Sequence, residues 1–483
     1  LNNHYPLKPT YLLPNTFWLN NLFYYIAHIP YVVEFGRLTD TSMLHIGFDD
    51  TDSTKGGCTT YLAAVLVEKL SQKSVKFTDY PLLVRLNPNV PWKTRGNGAL
   101  CLRFQCPNRL VDEVKQLAVD LWEQHSHVDN KGTDPGIVFY TGQSVPPELT
   151  EFAKRAETGI VTIKEAVQLI QRVGAEALGY NTCRGIIGAL SAIGETLTGD
   201  YTYELIAYRT PENLGTKRRV DEESIFNMDQ QLQPQVFNNL DYEKRRVVVT
   251  PRGPDPILFG IRGESAEAVK RAFELVKPLE PVERWVIFRS NQGTDAHLTM
   301  VDSIDKLEPY QSVIVKGEVS QNPRIIPVRH VIFSIKDATG QVDCAAYEPT
   351  GDLRKTAREL IIGDTVEVVG AVHKPTTDKP LTINLEKINV LSLNQKLVQQ
   401  NPLCPNCQKR LKSMGKNQGL RCEKCGAKFG DLKKQQSELL RELKKGLYVT
   451  STRSQRHLTK PLRRLGQEKS GAAVLLVENW HSP

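Results

Sequence analysis

Acidic residues run short at one end of this chain. Residues 401–483 hold 6 Asp and Glu against 18 Lys and Arg, a net of +12, whereas the first 400 residues carry 44 basic and 48 acidic groups, a net of −4. The overall charge of +8 is therefore a C-terminal property. Such asymmetry points to a polyanionic partner, most often nucleic acid, with a solvated basic tail as the plainer reading. Charge of either sign is scarce in residues 1–42, which hold Lys8, Glu34, Arg37 and Asp40 beside nine aromatics. The apolar stretch TFWLNNLFYYIAHIPYVVEF is broken by Asn20, Asn21, His28 and Pro30. It lacks the basic leader and small-residue exit of a signal peptide and makes a poor membrane span. No methionine precedes Met43. The expectation is that the natural protein starts at Met43 and that residues 1–42 are a non-native extension, a membrane anchor being the lesser reading.

A disulfide framework is missing too. Of nine cysteines, four form two CxxC pairs and five are scattered (Cys58, Cys101, Cys106, Cys183, Cys344), which reads as a reducing compartment and a cytoplasmic location. There is no Walker-A pattern, no internal repeat and no low-complexity tract. What remains is ordinary: 40% hydrophobic and 24% charged residues over a length of 483. That supports folded cores and three or four domains at roughly 100–200 residues each.

From Met43 to about residue 300, strand-like and helix-like segments alternate. LHIGF is a buried-strand run, and TTYLAAVLVEKL places Leu62, Val65, Leu66 and Leu70 on one helical stripe. PLLVRLNPNVPWKTRGNGALCLRF reads as two strands around a Pro/Asn/Gly-rich loop. PNRLVDEVKQLAVDLWEQHS, TIKEAVQLIQRVGAEAL and GIIGALSAIGETL read as helices; YTYELIAYR, RVVVTPRG and RWVIFRSN read as strands. The mixture implies α+β or α/β modules. From about 308 to 393, five β-rich runs enclose one short helix, DLRKTARELI, between the third and fourth. That order fits an OB-fold β-barrel, with an SH3-like barrel as the alternative. DLKKQQSELLRELKKGLYV is expected as a basic amphipathic helix before an irregular basic tail.

Two motifs carry chemistry. Cys404-x2-Cys407 and Cys422-x2-Cys425 stand 14 residues apart, the pattern of two knuckles closing a tetrahedral zinc site, against redox pairs as the alternative. With four thiolates no position is open for catalysis, so this zinc would hold a rigid basic module. The second motif is GFDDTDSTKGGCTTYL. Asp49, Asp50 and Asp52 crowd the C-terminal end of the LHIGF strand. Three uncompensated carboxylates repel, and a hard divalent cation such as Mg²⁺ removes the penalty. Gly56 and Gly57 let backbone approach a ligand. The helix starting near Cys58–Thr59 would offer free N–H groups to phosphate, with Thr59 and Thr60 in its first turn. Together these suit nucleotide chemistry with ATP; an acidic turn with capping Asp and Thr is the plainer reading. Lys93, Arg95 and Asn97 in PWKTRGNG, Asn181 and Arg184 in YNTCRGIIG, and Arg252 and Gly253 in TPRGPDP could face the same place.

GFDDTDSTKGGCTTYLA closely resembles the nucleotide-binding motif of the archaeal tRNA(Ile) 2-agmatinylcytidine synthetases. VPWKTRGNGAL, YNTCRGIIGALSAIG, YELIAYR and TPRGPDPILFGIRG resemble further segments of that family in the same order, as do an OB-fold and a C-terminal zinc ribbon. The resemblance runs from Met43 to the end. It implies a multidomain α+β chain: a kinase-like α/β catalytic domain (43–165), a ferredoxin-like domain (166–300), an OB-fold (308–393), a zinc ribbon (400–430) and a basic C-terminal helix and tail (431–483). It implies that ATP and agmatine modify carbon 2 of the wobble cytidine of an isoleucine tRNA, with AMP and phosphate as products, so that the tRNA reads AUA. It further implies that Asp49, Asp50 and Asp52 act with Mg²⁺ on ATP, and that Thr59 matches a threonine that becomes phosphorylated. Cys183 departs from the glycine or other small residue expected there. Agmatine's guanidinium wants a carboxylate or aromatic face, for which Glu204, Tyr203 and Tyr208 are candidates, at least two of them being strand residues in the plainer reading. The basic tail, with Arg453, Arg456, His457, Lys460, Arg463 and Arg464, would grip tRNA. The rival readings are a non-catalytic OB-fold/zinc-ribbon nucleic-acid binder and a generic kinase that makes ADP.

Overall fold

The computed structural model describes residues 10–12, 40–93, 96–377, 379–471 and 475–482. Residues 1–9 and 13–39, where most of the expected extension falls, lie outside the described residues, as does Arg95. The chain forms two compact units. One comprises residues up to 299, 308–313 and 451–483; the other comprises 300–307 and 314–450.

The first unit is built on one long sheet. Its strands are β1 (Thr41–Asp49), β2 (Leu82–Arg85), β3 (Gly98–Pro107), β4 (Gly136–Thr141), β5 (Glu176–Gly179), β6 (Thr202–Arg209), β7 (Ile257–Gly263) and β8 (Val282–Ser290). They lie in the order β5-β4-β1-β3-β2-β8-β6-β7. Every neighbouring pair in that order is antiparallel except β2 and β8, which meet in parallel at Leu82↔Arg289 and Leu83↔Ser290. That seam joins two half-sheets. It is held by RSN at the end of β8: Arg289 pairs with Asp79 at 2.5 Å, Ser290 Oγ donates to the Leu83 carbonyl, and Asn291 bonds both backbone groups of Arg85.

Period-two alternation decides which helix covers which face. Leu44, Ile46, Phe48, Leu100, Leu102 and Phe104 turn to the side of α1 (Thr59–Ser71) and α2 (Val111–His125). Leu82, Val84, Ala99 and Cys101 turn to α3 (Pro147–Thr158), α4 (Ile163–Val173) and α5 (Gly185–Gly194). The expected stripe of α1 is buried, and so are Ala63, Ala64 and Val67, so this helix is covered nearly all round. α4 opens on a Thr162/Glu165 capping box and stops at Gly174, φ +68°; the GAEAL after it is not helix but β5. The second half-sheet is covered by α6 (Glu222–Leu232) and α7 (Ala266–Leu275). RVVVTPRG contributes only Arg246–Val247 to a strand, because Pro251, Pro254 and Pro256 follow and cannot donate to a ladder.

The last 33 residues belong to this unit as a strap. His481–Ser482 adds to the edge of β8, and Trp480 packs edge-on against Phe77 and Tyr80. Its cations are paired rather than displayed. Arg464 is fully buried between Asp200 and Glu264, Lys460 reaches Asp200, Arg463 meets Asp229, and Arg453 meets Asp241. The four acids that pair with these residues lie far back in the chain, where a charge count cannot see them.

The second unit holds β9 (Ser312–Ile326), β10 (His330–Lys336), β11 (Gln341–Ala346), α8 (Asp352–Glu359), β12 (Thr365–His373) and β13 (Thr382–Ser392). The order β9-β10-β11-β13-β12, with a further β9–β12 pairing, closes the strands on themselves with the helix between the third and fourth, as an OB-fold requires. The helix expected over 431–449 is absent. Gln435–Glu438 pairs antiparallel with Leu397–Gln400, and Gly446–Val449 adds to β13. Between them Arg441 is fixed by a two-pronged bond to the buried Asp364. Tertiary pairing overrides the helical pattern here, and Leu439 and Leu440 stay exposed because no apolar face receives them.

Candidate functional site

In the first unit a cavity of about 420 Å³ opens where the end of β1, the start of α1, the loop after β2, α5, the second half-sheet and the strap converge. Asp49, Asp50, Asp52, Thr59, Thr60, Lys93, Asn97 and Arg184 all line it. Gly56 and Gly57 do not. They shape the turn behind it, where a Cβ on Gly57 would come within 3.1 Å of His127. Arg252 and Asn181 also stay outside; Asn181 is spent on the Val128 and Thr133 carbonyls. Of the three agmatine candidates only Glu204 reaches the cavity.

The acidic loop is tied to its neighbours by hydrogen bonds. Asp50 takes a left-handed φ of +57°, and its Oδ2 accepts the Asp134 amide at 2.9 Å. Thr133 Oγ1 donates to the Asp52 carbonyl, and the His127 amide to the Thr51 carbonyl. Asp49 bends back to accept the Asp50 amide at 2.7 Å. Burial, then the negative charge of Asp50, pushes the Asp49 carboxyl well above its usual range, Asp52 adding to the effect. A cation at the site would reverse that shift. The room for Asp49 comes from α5: a Cβ on Gly188 would stand 1.9 Å from Asp49 Oδ2, and one on Gly185 2.8 Å from the Asp49 carbonyl. The GIIG repeat of small residues is therefore what lets α5 lie on β1. Cys183 just before it has φ +57°, so the position expected to carry a small residue is a left-handed turn.

α1 begins at Thr59 with Cys58 as N-cap and no side-chain cap. Its first turn faces the cavity, a ready anion cradle. The buried Thr51 hydroxyl donates to Thr59 Oγ1 at 3.1 Å and fixes that side chain. Arg184 lies over the exposed ring of Trp92, its Cζ 5.1 Å from the ring centre, so the WK pair of the glycine-rich loop is held near the acids.

Of the opposite wall, only Glu204 was marked in the sequence as facing this cavity. Glu204 on β6 accepts from Arg262 at 3.2 Å and from Gln292 at 2.5 Å. Arg262 Nη2 donates to His457 Nδ1 at 2.8 Å. Burial, then the charges of Arg85 and Arg262, hold the His457 imidazole well below its usual pKa, hence neutral. Arg85, at the end of β2, completes this wall. His457 and Gln455 come from the strap, at the far end of the chain from the aspartates. No local pattern marks them; only the fold brings them in.

In the second unit the sulfurs of Cys404, Cys407, Cys422 and Cys425 lie within 4.8 Å of one another, with Cys404–Cys425 at 3.6 Å and Cys407–Cys422 at 3.3 Å. Tetrahedral zinc with ~2.3 Å bonds needs sulfurs ~3.8 Å apart, so the quartet fits the ion. Each knuckle turns on a left-handed residue after its second cysteine, Gln408 (φ +58°) and Gly426 (φ +74°). Among the described residues this is the one group of three or more ligand side chains gathered so closely; Asp49, Asp50 and Asp52 share the cavity without converging in that way. No described helix is long and apolar enough to cross a membrane.

Four family models match the chain: a TiaS TCKD domain over 45–182, a TiaS FLD domain over 183–297, an OB-fold nucleic acid binding domain over 313–391 and a TiaS C-terminal zinc ribbon domain over 401–443. The tRNA(Ile) 2-agmatinylcytidine synthetase TiaS of Archaeoglobus fulgidus is 43% identical across 88% of this chain and 98% of its own length. Its counterpart in Methanocaldococcus jannaschii is 41% identical across 87% and 98%. Among solved structures, a complex of TiaS with its isoleucine tRNA and ATP superposes with a TM-score of 0.78 at 42% identity, covering 88% of this chain and 97% of that one. A complex of TiaS with the same tRNA, AMPCPP and agmatine gives 0.76 at 40% identity over the same shares. Identity of this extent, carried by every domain in the same order, places the chain in the family of the tRNA(Ile) 2-agmatinylcytidine synthetases TiaS.

Proposed function

We propose that this chain attaches agmatine to carbon 2 of the wobble cytidine of an isoleucine tRNA, using ATP bound in the 420 Å³ cavity. The observation that carries the reading is the meeting of three aspartates with an uncapped helix start in one cavity. That pairing suits a nucleotide with its metal: the carboxylates would hold Mg²⁺, which would supply charge neutralisation at the transferred phosphoryl group. Asp49, Asp50 and Asp52, which line the cavity together, are the residues that would hold the ion. The α1 amides with Thr59 and Thr60 receive phosphate oxygens, and Thr59 is the hydroxyl placed to accept a phosphoryl group. Lys93, Asn97 and Arg184 close the site from the loop side.

The cytosine carbon-2 oxygen cannot leave as oxide. Water breaks the α–β anhydride of ATP and AMP leaves; one phosphoryl group of the resulting pyrophosphate passes to the carbon-2 oxygen and the other is released as phosphate. The neutral primary amine of agmatine then attacks carbon 2, the C–N bond forms, and the second phosphate departs with the oxygen. The amine must shed its proton to react, so the site must desolvate it or offer a base. The wobble base has to leave its stack to reach the cavity, which gives the OB-fold and zinc ribbon their purpose as RNA-binding modules. A binder without catalysis has no need of such a cavity.

The test is mass spectrometry of nucleosides from the isoleucine tRNA incubated with protein, ATP and agmatine, with nucleotide products followed in parallel. Agmatidine and AMP are expected. ADP as the sole nucleotide product would favour the generic kinase, and no product at all the binder.

A further inference from the structure

Among the described residues, Arg85 forms no ion pair. It sits at the C-terminal end of β2 and lines the cavity. Its Nε is buried with no hydrogen-bond partner, and among the described residues no carboxylate stands within ion-pair distance of its guanidinium. The neighbouring carboxylate, Glu204, is already occupied by Arg262 and Gln292. Gly96 and Gly98 make the slot: a Cβ on either would come within 2.8 or 2.7 Å of Arg85 Nη1. A half-buried guanidinium whose Nε is shut away without a partner is costly, and proteins keep one where a ligand supplies the missing partner.

We propose that Arg85 is an anion-binding residue of this cavity, receiving the oxygens of a phosphoryl group held between it and the first turn of α1. The assignment rests on the proposed ATP chemistry for its role in turnover, but its geometry stands alone. Cys58, Thr59 and Thr60, at the start of α1, line the same cavity as Arg85. The strap preserves the slot. His457 accepts from Arg262, and a Cβ on Gly96 would meet its Nε2 at 2.9 Å, so the imidazole separates two guanidinium groups while adding no charge of its own. Glu204 neutralises one arginine, leaving one positive charge facing the space. Burial, partly offset by Glu204, lowers the Arg85 pKa to about 10, so it stays charged at neutral pH. A planar fork of donors there suits phosphate, whose transition-state charge spreads over three oxygens.

The test compares Arg85→Met and Arg85→Lys with the full-length wild type. Inorganic phosphate is titrated by calorimetry, thermal midpoints are recorded, and AMP formation is measured with and without added methylguanidinium. The expected result is a phosphate Kd raised about tenfold or more in Arg85→Met, with a smaller rise in Arg85→Lys. AMP formation should fall about a hundredfold or more, with partial rescue by methylguanidinium. The midpoint should hold or rise, because the methionine removes an unpaired, half-buried charge. Unchanged phosphate affinity, or a fall in midpoint without loss of phosphate binding, overturns the assignment. If the wild type makes no AMP, the synthetase reading fails by itself, and the phosphate titration still decides Arg85.

Discussion

Gly188 has no side chain because Asp49 occupies its place. With Asp49 Oδ2 1.9 Å from the point where a Cβ would stand, Gly188→Ala must either rotate the carboxylate or lift α5. We expect AMP formation to drop about a hundredfold, as misplacement of a reacting group by an ångström does, with tRNA affinity intact by filter binding. Equal turnover would show that Asp49 is not held by α5 for chemistry. Asp50 is a cleaner probe of charge. Its Oδ2 accepts the Asp134 amide, and an asparagine oxygen can do the same. Asp50→Asn should therefore keep its thermal midpoint and lose turnover; a parallel fall in both would assign Asp50 to folding. Residue by residue, the acidic half of the site could be read from sequence because Asp49, Asp50, Asp52, Thr59 and Thr60 are neighbours in the chain. The arginine half could not. Arg85 looks like the last residue of an ordinary strand, and Arg262, Gln292 and His457 become neighbours only through the seam between β2 and β8 and the return of the strap.

At the scale of elements, the strap is the part whose charge misleads. Arg464 is buried against Asp200 and Glu264, and Arg464→Met removes the buried charge between them, leaving only the more exposed Lys460 on Asp200 and Lys469 on Glu264. Loss of about 3–5 kcal/mol is expected for breaking such a pair, measured by chemical denaturation; no loss would mean the strap is only laid on the surface. The same pair gives a pH signature. Burial opposes ionisation of Asp200, but Arg464 and the Lys469 amide outweigh it and hold the carboxyl below its ordinary value. A depressed native pKa contributes stability above the unfolded value and loses it as pH falls through the native one. The strap should thus be fully secured at neutral pH and loosen below about pH 4, and Asp200→Asn should flatten that acid limb. Helices and strands with strong periodicity, such as α1, α2 and the five OB strands, were legible because their apolar residues face one cover. The 431–449 segment was not: its i, i+4 pattern is genuine, but its backbone completes strand ladders with Leu397–Gln400 and β13.

At the scale of the molecule, two compact units carry two kinds of work. The first holds the cavity and the second the OB-fold and the four-cysteine knuckles. Removing zinc with a chelator should unfold the ribbon, since a small module of this kind draws its folding energy from the ion. tRNA affinity is then expected to fall while nucleotide binding to the cavity persists; loss of both together would contradict that division. The most direct measurement is the fate of the wobble cytidine. With the isoleucine tRNA, ATP and agmatine, the wild-type protein should yield agmatidine by mass spectrometry, in step with AMP, and Asp49→Asn should yield neither. An unmodified cytidine with the wild type, or undiminished product from Asp49→Asn, would contradict the account.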